Sequence, residues 1–269
     1  MNRPRRRPAN PTLDLYPSQI WLLKSLPLVV LLAAWQAACA TGLLTSRLLP
    51  EPAAILAAFA TDIANGVLLQ HAATTVSRAL AGFSLGAVGG VLLAAAMARF
   101  TWFGRLFEPL VLLGLPVPKI AFFPIFVFIF GIGSFSKIAF TFIECLFPIL
   151  VATWLGIRGI NSRLVLMAAN CGAGPLTIFR RVIVPAALPA IFSGLRIALP
   201  VAMIVVVITE MIGDSAGLGY YINIWSTRFR FANVWDGILM IGLVGMALEA
   251  VLTAVSRRIM PWQRAEAEL

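Results

Sequence analysis

The sequence predicts an all-α polytopic membrane protein with about six spanning helices and both termini on the cytoplasmic side. Composition is the first reason. Of 269 residues, 60% are hydrophobic and 12% charged, with a mean hydropathy of +0.93, whereas soluble domains carry roughly 25% charged residues. So little charge cannot cover a water-facing surface, and so much apolar side chain excludes intrinsic disorder. Length is the second reason: about six apolar runs of about 20 residues, with their loops, leave no room for a separate soluble catalytic domain. The third is where the cations fall. With the N-terminus inside, fourteen Lys/Arg lie on inner segments and four (Arg47, Lys137, Arg228, Arg230) on outer ones, the asymmetry that the positive-inside rule describes.

Taken in order, Arg3, Arg5, Arg6 and Arg7 among prolines make residues 1–23 a basic cytoplasmic tail. The run Leu26–Leu44 follows Lys24. Ala38-Cys39-Ala40 has the look of a signal-cleavage site, but the stretch is longer than a signal h-region and more spans follow, so a retained first helix is expected. Ala53–Ala64, after Pro50 and Pro52, reads as a short helix at the outer surface. The second span, Thr74–Met97, carries Gly82, Gly86 and Gly90 at helical spacing, a small-residue stripe for close packing. Arg78, near its outer end, is placed to snorkel. Leu106–Ile132 is interrupted by Pro109, Pro116, Pro118 and Pro124; each proline frees a carbonyl, so the kinked segment is expected to face protein or water. The fourth span is Lys137–Ile157, the fifth Pro189–Ile212 and the sixth Gly237–Val255, with a gly- and aromatic-rich loop over 214–236. The membrane domain is thus 24–262, and 263–269 with Arg264 is a second cytoplasmic tail.

The excess of 21 Lys+Arg over 11 Asp+Glu, net +10, is accounted for by inner loops at a lipid surface, and no basic helix interleaved with aromatics points to nucleic acid. Cys39, Cys145 and Cys171 are odd in number and lack zinc or disulfide spacing. There is no phosphate-cradling G-x-x-x-x-G-K-[ST] loop and no H-E-x-x-H pair. The single histidine, His71, is at an outer boundary, so no metal site, bound cofactor or catalytic constellation is expected. Transport is the leading class, either as an ion-coupled secondary carrier or as a subunit driven by a separate ATPase. A membrane-embedded enzyme is the remote third reading. A carrier with inverted repeats would show paired broken helices, and the halves of this chain show no such repeat.

One cytoplasmic segment, about 158–189, carries the decision. A short helix over Arg163–Cys171 can be broken by Gly172 and Gly174, Pro175 suits the first turn of the next helix, and Pro185 and Pro189 close it. The result is a helix–turn–helix with small residues at its tip, either a surface loop or an element shaped for a partner's groove. Here the sequence resembles the permease subunit of bacterial binding-protein-dependent ABC importers, whose EAA loop runs Glu-Ala-Ala, three residues, Gly, nine residues, Ile, one residue, Leu-Pro. Ala168, Gly172 and Pro185 match the second Ala, the Gly and the Pro, with Val182 and Val184 for Ile and Leu; Leu166 and Met167 replace Glu and the first Ala. Pro185–Arg196, Pro118–Pro124, Phe130–Gly133, Ser136-Lys137, Glu210–Gly213 and Gly217–Gly219 resemble the sulfonate/taurine/nitrate-type branch.

That resemblance implies a type I importer permease in the bacterial inner membrane. It also implies a pore made with a second permease copy, expected to be identical, a periplasmic binding protein at the outer face, and a cytoplasmic ATPase dimer that holds ATP and Mg. The coupling residues it implies are Ala168, Gly172, Ala173, Gly174, Ile178, Arg180, Arg181 and Pro185, with the helix around Gly172–Ile178 as a lever. The cargo it implies is a small organic or inorganic anion, such as a sulfonate, taurine, nitrate or an aromatic acid. Ionisable residues inside spans mark pathways or internal pairs, and three qualify: Lys119, Glu144 and Glu210. Lys119 either attracts an anion in transit or pairs with Glu144. Glu210 either gates the outer mouth or accepts hydrogen bonds from the 213–219 loop. Asp214, Arg228 and Arg230 are rim charges or contacts for a binding protein.

Overall fold

Small residues decide where the long helices meet. In the computed structural model, residues 17–42, 48–114 and 116–262 are described, with backbone alone for 17–25 and 28. Arg3, Arg5, Arg6, Arg7, Arg47, Arg264 and the side chain of Lys24 therefore lie outside the described residues. The helices are α1 (Pro17–Ala40), α2 (Pro52–Ala64), α3 (Val67–Arg99), α4 (Thr101–Gly114), α5 (Phe123–Phe130, after a 3-10 turn Lys119–Phe122), α6 (Ser134–Arg158), α7 (Ser162–Asn170), α8 (Pro175–Ile178), α9 (Val184–Met211), α10 (Leu218–Thr227) and α11 (Phe231–Ile259). A π-helical turn, Phe179–Ile183, joins α8 to α9. No strand occurs among the described residues.

Four stretches are long and apolar enough to cross a membrane: Val67–Arg99, Ser134–Arg158, Pro175–Met211 and Phe231–Ile259. A fifth is added if α4 and Lys119–Phe130, which meet at 91°, form one broken span. The break falls at Pro116 and Pro118, as expected of prolines that cannot continue the hydrogen-bond ladder. The expected first span falls on α1, whose described apolar part, Val29–Ala40, is shorter than a span. The fifth span begins earlier than the expected Pro189: the helical stretch runs from Pro175 to Met211, through the π turn and on past Pro185 and Pro189, so these two prolines do not close the helix as expected.

The chain divides into two units, Met1–Ala58 and Phe59–Leu269. Within the first, Gln36 donates to Glu51 at 3.3 Å and accepts from the backbone N–H of Ala53 at 3.3 Å, which ties the end of α1 to the start of α2. Within the second, α6 lies between α3 and α9. The stripe Gly82, Gly86, Gly90 meets Thr141, Cys145 and Ile149 of α6. A Cβ on Gly82 would stand 2.6 Å from the Thr141 Cβ, one on Gly86 2.7 Å from the Cys145 Cβ, and one on Gly90 3.1 Å from the Ile149 Cβ. Any larger residue forces the helices apart, and overpacking of this kind costs about 1–3 kcal/mol per site. On the other side of α6, Gly194 of α9 stands against Ala152 and Ile149. Ala79, Cys145, Ile149, Ala198, Ala202, Met203 and Val206 fill the junction of the three helices. Cys145 is buried there as a small hydrophobe, whereas Cys39 is half-buried and Cys171 exposed, so burial holds for one of the three; all three are free. At the inner end Met97, Val111, Leu150 and Trp154 form a second cluster; Leu68, Leu218, Tyr221 and Met240 form a third at the outer end.

Candidate functional site

The 158–189 segment is built by three local rules. Asn161 caps α7, its side-chain oxygen accepting the Arg163 backbone N–H at 3.0 Å. Gly172, at φ +80°, ends α7 in the left-handed region that favours glycine. The two bonds of a Schellman closure are both made: the Gly172 N–H donates to the Ala169 carbonyl at 2.9 Å, and the Ala173 N–H donates to the Ala168 carbonyl at 3.1 Å. Pro175 then starts α8. The expected helix–turn–helix is present, with α7 within one residue of its expected bounds. The tip is bare: a Cβ on Gly172 or Gly174 would meet nothing within 4 Å. Gly172 is required by its φ, whereas nothing within the protomer requires Gly174 to be small.

The segment exposes apolar side chains at Leu164, Leu166, Met167, Leu176 and Phe179. Leu166, at the family's Glu position, is 61% exposed and offers an apolar contact in place of a charge. Arg180 and Arg181 lie on the π turn, exposed, and line a cavity of about 360 Å³ with Leu176 and Thr177; neither has an ion pair among the described residues. Ile178 is half-buried and faces a larger cavity of about 660 Å³ beside Ala95, Ala96 and Arg99 at the inner end of α3. Pro185 occupies the first turn of α9.

At the outer end, residues that sequence alone left scattered come together. The Arg78 Nη1 lies 2.9 Å from Glu210 and 2.7 Å from Asp214, and Lys137 lies 3.0 Å from Asp214. All four side chains are at most 6% exposed. Two cations and two anions cancel, which is what makes burial of four charges tolerable. Arg78 therefore does not snorkel: it donates also to Ser134 at 2.9 Å and to the Ala216 carbonyl at 3.0 Å. Glu210 accepts from the Thr75 hydroxyl at 2.8 Å and the Gly219 N–H at 3.1 Å, and Thr75 in turn accepts the Leu218 N–H at 2.7 Å. His71 Nδ1 accepts the Gly217 N–H at 3.1 Å, so its proton is on Nε2. A Cβ on Gly217 would collide with the Glu210 carboxylate. Asp214 is thus sealed in the network rather than offered at the rim. Burial alone would raise its pKa, but hydrogen bonds from Lys137 and the Ser215 N–H, with the charges of Lys137 and Arg78, outweigh that and hold it below the ordinary value. Arg228 and Arg230 are exposed, over the Trp225 ring.

Lys119 lies 3.7 Å from Glu144, both mostly buried. It also donates to the Gly114 carbonyl at 3.3 Å and sits 5.1 Å over the Phe147 ring. The geometry is that of the ion pair weighed from sequence, closing the break between α4 and α5. A further cluster had no sequence signal beyond its residue types. The Tyr221 hydroxyl faces Asp62 and Asp236, and Asn233 donates to Asp62 at 2.8 Å. Burial and then the Asp62 hydrogen bond push the Tyr221 phenol well above its ordinary pKa, so it stays a donor. Among the described residues no group of acids, histidines or cysteines could hold a metal ion.

The chain is thus a polytopic helical unit with a glycine-tipped segment on its Arg-rich side. Residues 86–264 match the family described as binding-protein-dependent transport system inner membrane component, and the chain belongs to that family. It is a multi-pass inner-membrane protein of the permease class. The chain is 34% identical over 252 residues to the putative aliphatic sulfonates transport permease protein SsuC of Escherichia coli, covering 93% of this chain and 96% of that protein. It is 34% identical over 160 residues to the formylaminopyrimidine transport permease protein ThiX of Halalkalibacterium halodurans, covering 60% of this chain and 64% of that protein. It is 32% identical over 157 residues to the taurine transport system permease protein TauC of Escherichia coli, covering 58% of this chain and 57% of that protein. The ThiX and TauC matches therefore span less than two thirds of those proteins. The fold resembles that of the MetNI methionine ABC transporter in an inward-facing conformation (TM-score 0.63, 17% identity, 71% of this chain and 95% of that chain). It also resembles an amino acid ABC transporter (TM-score 0.58, 14% identity, 77% of this chain and 97% of that chain).

Proposed function

We propose that this chain forms the translocation pathway of an ATP-driven importer for a small organic or inorganic anion, with a sulfonate the first choice. It works as one of two copies. A periplasmic binding protein delivers the solute, and a cytoplasmic ATPase dimer, which holds the ATP and Mg, grips the 158–189 segment. The observation that carries this is the bare tip of that segment: Gly172 and Gly174 leave open space, and Leu166, Met167 and Leu176 are exposed beside it. An apolar patch with small residues at a stiff turn suits insertion into a groove of another protein. Ala168 and Ala173 close the turn, Ile178 anchors it on the cavity beside α3, Arg180 and Arg181 reach the ATPase or lipid headgroups, and Pro185 fixes the entry into α9. Closure of the ATPases then moves the turn as a lever. The buried pair Lys119–Glu144 and the Glu210 network hold the pathway helices in register. The family membership and the sulfonate permease relative support this reading over an ion-coupled carrier.

The test is uptake in vesicles holding the chain with its ATPase and binding protein. ATP-dependent accumulation of an alkanesulfonate is expected. Gly172→Val, which places a β-branched residue at φ +80°, is expected to insert normally but to lose uptake while ATP hydrolysis persists. Normal uptake by that variant would end the lever reading, and proton-driven uptake without any ATPase would end the importer reading.

A further inference from the structure

Arg196 and Glu249 sit at membrane depth yet remain open. The Arg196 Nε lies 3.8 Å from Glu249, with the side chains 47% and 44% exposed. Helix α11 has 29 residues, about 43 Å, so a hydrocarbon core of about 30 Å centred on it leaves about 6 Å at either end. Glu249 stands ten residues before Ile259, about 15 Å from the inner end, and so falls inside the core. Open charges at that level face water or protein rather than lipid.

The pair closes the inner end of a cavity of about 390 Å³ between α9 and α11, a volume in the range of small-molecule sites. Leu199 and Met203 line one wall, Gly242 and Gly245 the other. Nothing lies within 4 Å of a Cβ built on either glycine, so neither is there for packing within the protomer. Pro200, also in the wall, has no N–H for the Arg196 carbonyl, and a freed carbonyl is tolerated at membrane depth where it lines a cavity. Glu249 takes a 3.5 Å hydrogen bond from Thr253. The Arg196 Nη groups make no hydrogen bond among the described residues, which leaves a planar fork suited to an oxyanion.

We propose that this groove is a solute-binding stretch of the translocation pathway, taking a small organic anion with its acidic group on Arg196 and its carbon chain along Leu199, Met203 and the glycine face. The proposal rests on the importer reading above. The loose Arg196–Glu249 contact is the resting state, and the anion displaces Glu249 from the guanidinium.

The test uses the permease with its ATPase in inside-out vesicles, carrying Cys171→Ser to remove the exposed thiol. Gly245→Cys is titrated with 2-sulfonatoethyl methanethiosulfonate, an anion, and with its trimethylammonioethyl counterpart, a cation. With each rate divided by that reagent's rate with a free thiol in solution, the anionic reagent is expected to react about tenfold faster. That preference should vanish with Arg196→Gln, persist with Arg196→Lys, and be slowed by ethanesulfonate. Reaction with neither reagent, a disulfide between two copies at residue 245, or a preference indifferent to Arg196→Gln would each overturn the proposal. Co-purification with the ATPase checks assembly, and Gly242→Cys replaces Gly245→Cys where assembly fails. Absence of ATP-driven anion uptake by the unmodified transporter, with the Arg196-dependent preference intact, would strike the importer reading and leave the anion groove standing.

Discussion

At the outer end of α3, one guanidinium faces two carboxylates and an ammonium faces the second of them. Arg78→Met leaves Glu210 and Asp214 with Lys137 alone, an uncompensated buried anion, and a loss of about 3–5 kcal/mol is expected. Arg78→Met with Glu210→Gln restores neutrality, and the double variant is expected to be more stable than Arg78→Met alone. Thermal unfolding of the detergent-solubilised protein reads both; a double variant no better than the single would show that charge balance is not what the network supplies. Asp214 adds a pH signature. Its folded pKa lies below the ordinary value, so its contribution is fully present above the unfolded pKa and is lost as pH falls through the folded one. Stability owed to it is expected to be flat from about pH 8 to about pH 5 and to fall only in stronger acid. Asp214→Asn should remove that acid-side fall in an acid-unfolding titration. None of this pairing was legible in the sequence, because Arg78 and Glu210 are 132 positions apart and a lone cation near a span end has the same local pattern whether it snorkels or pairs.

Between residue and fold, the helix α9 and the tip of the 158–189 segment are joined by the π turn Phe179–Ile183. A π turn holds one residue more than the α-helix it interrupts, and such insertions concentrate at functional sites. Deleting Val182 is expected to convert the turn to α-helix and rotate the tip by about 100° relative to α9. ATP-driven uptake should then fall at least as far as in Gly172→Val, while insertion into the membrane is retained; uptake at the native level would mean the tip's orientation is not transmitted through this turn. The two ends of the segment differ in legibility. Gly172 and Pro175 announce a break and a restart, because only their backbones suit those positions, whereas a shift from i→i+4 to i→i+5 bonding leaves no mark in residue type. Helix α10 was also hidden. Its buried positions Leu218, Tyr221 and Ile222 have helical spacing, but Gly217 and Gly219 beside them read as loop. The glycines are there instead because a Cβ would strike Glu210 at one and the Val207 carbonyl at the other.

For the molecule in its membrane, charge asymmetry decides orientation and low polarity decides the solvent, and both are properties of composition that survive any error in element boundaries. That is why the spans α3, α6, α9 and α11 were legible, while the groove between α9 and α11 was not. Sequence hydropathy averages over a helix and cannot say which face is left uncovered, and Arg196 and Glu249 are 53 positions apart. The orientation itself has a direct test in the native thiols. Cys171 is exposed on the segment rich in arginine, so a membrane-impermeant maleimide is expected to label it in inside-out vesicles and not in intact cells. Arg228→Cys, at the exposed end of α10, should give the reverse pattern in a Cys171→Ser background. Cys145 is fully buried between α3, α6 and α9, out of reach of a water-borne reagent, so it should stay silent in both. Labelling of Cys171 from outside intact cells would invert the molecule. It would put the glycine-tipped segment beyond the reach of any cytoplasmic ATPase, and the coupling role would fall with it.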